Sequence, residues 1–323
     1  MKRRLGLYAG LTVGLLLLFV ADLCVGAVNF APSELLGTDN AIYQQIIVNF
    51  RLPKALTAVM AGVSLSLAGL IMQTLFRNPL AGPYVLGVSS GATFGVAVVV
   101  LCGSLLGFIA NSWLIVLSAI AGALLVLLCV MAVSWRVEST VSLLIVGLMF
   151  GSIAGALVSL MQNFANPDSL KLFIVWTLGS LSSVGWAEMR VLVPIFVAGL
   201  GCAICLVKPL NGLLLGERYA QGVGISLRRV RVLIVLATAL LAGGITAFCG
   251  PIAFVGVAVP FIARGLFQTS NHRVTMWSSA LIGANLLLLC DIISNLFTYP
   301  LPISTVSALF GAPVVVWIVL RGH

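Results

Sequence analysis

Ten apolar windows, each about 20 residues long, follow one another along this chain and leave few ways to fold it. They lie near 5–27, 54–75, 84–106, 112–134, 141–163, 187–207, 230–249, 252–268, 275–297 and 303–321. Hydrocarbon offers no partner to a backbone N–H or C=O, so a crossing segment must be a helix or a strand of a closed barrel. Windows of this length fit helices. The expectation is an all-α polytopic membrane protein, with residues 1–323 forming a single transmembrane domain. Composition agrees: 61% of residues are apolar and 8% charged, against roughly 25% charged in soluble domains. The net charge of +9 raises nucleic acid as a partner. Scattered cations that form no basic face exclude it.

The cations also orient the spans. With the N-terminus in the cytoplasm, thirteen of the seventeen lysines and arginines fall on inner loops and ends. Arg51, Lys54, Lys171 and Arg190 stay outside. That asymmetry follows the positive-inside rule and puts both termini in the cytoplasm of a cell (inner) membrane protein. The start, "MKRRLGLYAGLTVGLLLLFV", resembles a signal peptide, but its apolar run is too long for a signal core and reads as an uncleaved first span. The segment 166–183 is too polar and short to span, and reads as an amphipathic helix on the outer surface. Cys202 and Cys205 form a C-x-x-C on one face of the sixth window and read as inert buried thiols.

Between the second and third windows stands "RNPLAGPYVLGVSSGA" (77–92). Pro79 forbids helix at Asn78, and Gly82 and Pro83 repeat the interruption. Such backbone is tolerated at membrane depth only where protein buries it or water lines it. A tight turn and a pore-lining constriction both satisfy this. In the fifth window Gly147, Gly151 and Gly155 recur at spacing four, which allows close helix approach. Packing within one subunit, a dimer seam and a pathway wall all remain open.

Ionisable groups inside the windows are scarce: Asp22 near the end of the first and Asp291 in the ninth. A carrier driven by protons or sodium needs a relay of such groups, so the energy source is expected elsewhere. Asp291 reads first as an acceptor for a neighbouring helix end. Arg51 and Lys54 open the second window, where the helix dipole and the positive-inside rule both disfavour cations. They call for an anion, either a lipid phosphate or a carboxylate on a docked protein. The longest inner loop, "VKPLNGLLLGERYAQGVGISLRRVR" (207–231), ends in Arg228, Arg229 and Arg231. Those three fit a basic loop on membrane lipid headgroups. The apolar residues before them ask for a partner surface and suggest a short helix standing in the cytoplasm.

Several stretches together resemble the FecCD/cobalamin-type permease family of ABC importers for iron-siderophores, haem and cobalamin. They are "RLPKALTAVMAG" (51–62), "GLIMQTLFRNPLAGPYVLGVSSGA" (69–92), "GERYAQGVG" (216–224), "GPIAFVGVAVPFIAR" (250–264), "NHR" (271–273) and "GAPVVVWIVL" (311–320). The resemblance implies ten transmembrane helices per subunit, a short extracytoplasmic surface helix and a cytoplasmic coupling helix. It implies as partners a second permease copy or paralogue, two cytoplasmic ABC ATPase subunits and an extracytoplasmic substrate-binding protein. The chain itself is expected to bind no cofactor or metal and to catalyse nothing, ATP being used by the partner ATPase. It has no G-x-x-x-x-G-K-[ST] loop.

Carried over by position, the resemblance makes Glu217, Arg218, Ala220 and Gly224 ATPase-coupling residues, within a loop over 208–229. Arg51 and Lys54 become contacts for the binding protein. Asn78 and Leu80, with Ser139, Thr140 and Val141, become gate segments, and the stripe Gly147, Gly151, Gly155 is drawn towards the pathway or dimer seam. Two regions depart from the pattern. Asn295 and Pro300 stand where relatives carry a basic residue and a glutamate, and Phe261 replaces a histidine. The expected function is ATP-driven import of an iron chelate by alternating access, with ferric siderophore ranked ahead of haem and cobalamin. The rival is an ion-coupled secondary transporter or channel working without an ATPase.

Overall fold

A computed structural model of the chain describes residues 2–26, 31, 41–106, 111–134, 140–297 and 299–321. Among these residues all regular structure is helical. Apolar helices overlie all ten windows: α1 (Lys2–Cys24), α2 (Ile42–Phe76), α3 (Val88–Leu106), α4 (Ser112–Ser134), α5 (Thr140–Phe164), α7 (Trp186–Cys205), α10 (Leu227–Cys249), α11 (Val255–Phe267), α12 (His272–Asn295) and α13 (Ile303–Arg321). Three shorter helices stand apart from them: α6 (Pro167–Thr177), α8 (Val207–Leu214) and α9 (Glu217–Gly222).

The long α2 is the axis of the bundle. Its small residues let two neighbours approach backbone to backbone. A Cβ on Gly62 would stand 2.2 Å from the carbonyl oxygen of Gly283 in α12, and one on Gly69 would stand 1.7 Å from that of Gly256 in α11. No side chain fits either crossing, so glycine is obligatory there. The helices α3 and α4 form a hairpin closed in the same way, with Gly91 and Gly95 against Gly122 and Ser118. By contrast α1 lies at the periphery against α12, where the Asn285 amide donates to the Leu11 carbonyl at 3.1 Å.

These contacts define two ends. At the near end α1 and α12 begin and α2 and α11 finish: Tyr8 donates to the Val274 carbonyl at 3.0 Å, and its ring meets Phe267. At the far end α1 and α12 finish while α2 begins. There α2 starts about a dozen residues before the expected window. At 1.5 Å per residue its 35 residues span about 52 Å, far beyond a hydrocarbon layer of about 30 Å.

The extension of α2 contains a π-helical turn, Ile47–Arg51. The Leu52 N–H bonds the Ile47 carbonyl, and Pro53, next in line, has no N–H to offer Val48. The indole N–H of Trp186, at the start of α7, supplies the missing donor at 2.9 Å. A proline inside the helix thus produces the bulge and the bulge recruits α7. Arg51 and Lys54 therefore sit inside a continuous helix. The dipole penalty expected for them at a helix start does not operate.

Candidate translocation and coupling site

Two non-helical segments enter the bundle from opposite ends and meet inside it. The first follows α2. Arg77 takes a left-handed conformation (φ 48°), and the Asn78 side chain accepts the Leu80 N–H at 2.9 Å. Asn78 and Leu80 are exposed, whereas Ala81, Gly82, Pro83 and the run Leu86–Val88 are buried. The segment ends at Gly87, which packs on the backbone of Gly147 in α5, seven residues and about 10 Å inside that helix.

The second segment is the turn 250–254 between α10 and α11, with Phe254 left-handed (φ 64°). Pro83 of the first segment closes on Gly256 just after this turn. The Tyr84 hydroxyl lies 3.4 Å from Thr246 Oγ1 and 3.4 Å from the Ile252 N–H, which donates to it. Residues after α6 satisfy further carbonyls: the Ser180 N–H donates to Cys249 and the Ser183 hydroxyl to Phe248, each at 2.8 Å. Protein burial is thus what makes irregular backbone tolerable here. Neither the depth of the turn 250–254 nor the part of Tyr84 is marked by any local pattern in the sequence.

The glycine stripe divides. A Cβ on Gly147 would stand 2.8 Å from the Val85 carbonyl oxygen, and one on Gly151 would stand 3.3 Å from Ser90 Oγ, so both serve packing within the subunit. Gly155 faces open space, with nothing within 4 Å of such a Cβ. Val141 on α5 is exposed. Thr140 begins that helix, and Ser139 lies outside the described residues.

At the near end α8 and α9 form a compact projection. Leu210, Leu213 and Ala220 are buried. Gly216 (φ 120°) turns the chain between the two helices, and Gly224 (φ 83°) ends α9 with its N–H on the Gln221 carbonyl. The Ile225 N–H returns to the Ala220 carbonyl at 2.9 Å. Glu217 pairs with Arg231 of α10 at 3.2 Å, fastening the projection to the bundle. Arg218 is exposed, as are Leu214, Leu215, Tyr219 and Val223. An apolar tip standing outside the helical bundle is a surface in want of a partner.

At the far end the ammonium of Lys54 lies 2.8 Å from Asp291 Oδ2 and 3.0 Å from Asn295 Oδ1. The Asn295 amide donates to Asp291 Oδ2 at 3.2 Å. This corrects the expectation for Asp291: its main partner is a side-chain cation of α2, not a helix end. Asn295 thus bonds both members of the pair. Arg51 donates to the Leu23 carbonyl at 2.7 Å. Asp22, 5% exposed, borders a cavity of about 460 Å³ with Arg51, Lys54, Ser182 and Asn295. Among the described residues no cluster of three or more His, Cys, Asp or Glu side chains is placed to hold a metal ion.

A bundle of this build, with a projecting helix pair at one end, has known counterparts. Residues 14–321 match the FecCD transport family. The chain belongs to the FecCD transport family. The ABC transporter permease protein YvrB of Bacillus subtilis (strain 168) is 38% identical over 293 residues, 89% of this chain and 82% of that protein. The vitamin B12 import system permease protein BtuC of Klebsiella pneumoniae is 36% identical over 97% of this chain and 93% of its own length.

Among solved structures, a metal-chelate type ABC transporter in an inward-facing conformation superposes with a TM-score of 0.88. Its sequence is 29% identical, and the match covers 98% of this chain and 99% of that one. The PsaBC structure from Streptococcus pneumoniae, 18% identical with a TM-score of 0.54, covers 85% of this chain and 90% of that one and shares the fold alone. This FecCD protein is therefore a multi-pass permease subunit of an ABC importer. It is non-catalytic, and ATP hydrolysis belongs to a separate subunit.

Proposed function

We propose that this permease moves a metal chelate from an extracytoplasmic binding protein into the cytoplasm, powered by two ATPase subunits seated on its near end. The observation that carries the coupling half of this reading is the α8–α9 projection. It combines an exposed apolar tip (Leu214, Leu215, Tyr219, Val223), a helix stopped at Gly224 and a strut from Glu217 to Arg231. In this reading the near end is cytoplasmic, as the cation asymmetry demands, and both termini lie there. Arg218, exposed on α9, offers its charge to the ATPase.

Two copies, or a copy and a paralogue, enclose the pathway. The faces available for it carry Asn78, Leu80, Val141 and Gly155. Gly147 and Gly151 act from behind, holding 85–90 against α5. At the far end Arg51 and Lys54 meet acidic groups of the binding protein. Each does so only by sharing its charge, Lys54 with Asp291 and Arg51 with the Leu23 carbonyl.

The cargo class is a metal chelate. Relatives named for vitamin B12 import and a metal-chelate type structural counterpart make cobalamin the first cargo to assay, with ferric siderophore and haem beside it. The decisive experiment purifies the complex with its binding protein and identifies what that protein holds by absorbance and mass. A corrin, haem or iron-siderophore spectrum fixes the cargo. Accumulation of cargo by the permease alone, without nucleotide, refutes the scheme and favours the ion-coupled rival.

A further inference from the structure

The last turn of α2 is a junction between the coupling projection and the broken segment at 77–87. The backbone carbonyls of Gln73 and Thr74 accept the N–H groups of Arg77 and Asn78, and so hold the start of that segment. The side chains of the same two residues face other helices. Gln73 accepts from Arg264 of α11 and donates to the Val257 carbonyl at 3.0 Å. Thr74 Oγ1 stands 2.8 Å from Nε2 of His272, the first residue of α12, which is 1% exposed.

His272 in turn is held by the projection. Oδ1 of Asn211, on α8, accepts the His272 backbone N–H at 2.8 Å and faces Nδ1 at 3.0 Å. An amide oxygen only accepts, so Nδ1 must carry a proton. In the neutral ring Nε2 then accepts from the Thr74 hydroxyl, whose one proton it shares with the Leu70 carbonyl, 3.0 Å away in the preceding turn. The Asn211 amide also donates, at 3.3 Å, to Oδ1 of Asn271, the residue whose side chain caps α12. One side chain of α8 thus grips both the cap and the first residue of α12, and the imidazole carries that grip across to α2.

Packing also joins α8 to α2, and the Arg77 guanidinium reaches Gly216, where a Cβ would stand 3.6 Å from it. A cavity of about 330 Å³ separates Leu213 and Leu214 of α8 from Arg77, Asn78 and Pro79, with Thr74 and His272 in its wall. Close-packed interiors transmit displacement through contact. Beside this cavity packing is incomplete, so the hydrogen-bonded groups in its wall carry part of any displacement.

We propose that Asn211, His272 and Thr74 form a hydrogen-bonded link through which movement of the coupling projection reaches the 77–87 segment, and that His272 is a positioning residue for the transport cycle. The inference rests on the assignment of α8–α9 to ATPase coupling. A displaced α8 pulls Asn211, which rotates the first turn of α12 and draws the end of α2 with it. Exposed Asn78 and Leu80 then shift, while Tyr84 and Pro83 stay anchored deeper in the bundle.

The test uses the complete complex in liposomes, with spin labels at Leu215 or at Leu80, and the variants Thr74→Val and His272→Phe. Thr74→Val is isosteric and carries the test should His272→Phe fail to fold. With ATP bound, the wild type shows distance changes at both labels. In the variants the Leu215 change persists, the Leu80 change is lost, and cargo moved per ATP hydrolysed falls at least about tenfold. Equal movement at Leu80 in wild type and variants, or an unchanged transport-to-ATP ratio, overturns the link. A wild-type Leu215 label indifferent to ATP instead overturns the coupling assignment beneath it.

Discussion

The two ends of the α2–α12 pair are fastened by different chemistry. At the far end Lys54 and Asp291 make an ion pair, buttressed by Asn295 and close to Asp22. At the near end the same helices are joined by the uncharged bonds of Thr74 and His272, beside a cavity and next to a chain that has left the helix. A buried ion pair is costly to separate because each charge would lose its partner in a poorly solvating medium. Neutral hydrogen bonds trade partners for roughly a kilocalorie. The far end therefore costs more to separate than the near end, and the near end is the one that adjoins the α8–α9 projection.

The strongest way to break this contrast is Asp291→Ala, which takes the carboxylate from the Lys54 ammonium and leaves it Asn295 Oδ1. A loss of about 1.5–3 kcal/mol in stability is expected, read as a drop in thermal midpoint and in membrane yield. Adding Lys54→Met should restore most of it. Equal fragility of the single and double variants would show that the ion pair does not close the far end. A smaller effect at the same end is expected of Trp186→Phe. It leaves the Val48 carbonyl without its donor and should cost about 1 kcal/mol, measurable by thermal unfolding of the purified complex.

The near-end substitutions should cost less stability and more function. Gly224→Val forces a branched side chain into φ 83°, a strain of about 1–2 kcal/mol. Stimulated ATP hydrolysis and uptake should fall well beyond what the small shift in midpoint explains. Least costly to the fold is Glu217→Gln, since its pair with Arg231 is partly exposed and worth less than about 1 kcal/mol. Binding-protein docking should survive while uptake is lost. Wild-type uptake by both near-end variants would remove the projection from the mechanism.

The helices were legible because each apolar window is as long as a hydrocarbon layer is thick, and the interruptions at Pro79, Gly82 and Pro83 announce themselves by covalent geometry. The projection was legible from the mismatch between "LLLGERYAQGVG" and a merely basic loop. Motif position flagged Glu217, Ala220 and Gly224, and the structure gives each a local part in one projection. Other residues resisted reading. Nothing in the sequence tells Gly147 and Gly151, packed inside the subunit, from Gly155, which faces open space, because all three share one helical spacing. The start of α2 lies a dozen residues before the expected window, since Gln44, Gln45, Asn49 and Arg51 interrupt the apolar run of its extension. His272, Asn211 and Thr74 lie far apart in the chain, on elements whose contact no local pattern records.

Sequence alone determined that this chain crosses a membrane repeatedly as helices, where those helices break, and which end carries the cations. Each follows from transfer of short stretches between water and hydrocarbon, a property of residues taken a few at a time. Tertiary structure alone decided which charges neutralise each other, how deep the breaks lie, and what joins the projection to the broken segment. Those depend on side chains brought within about 3 Å by the crossing of distant helices, and the crossings are set by glycines whose partners are visible only in three dimensions.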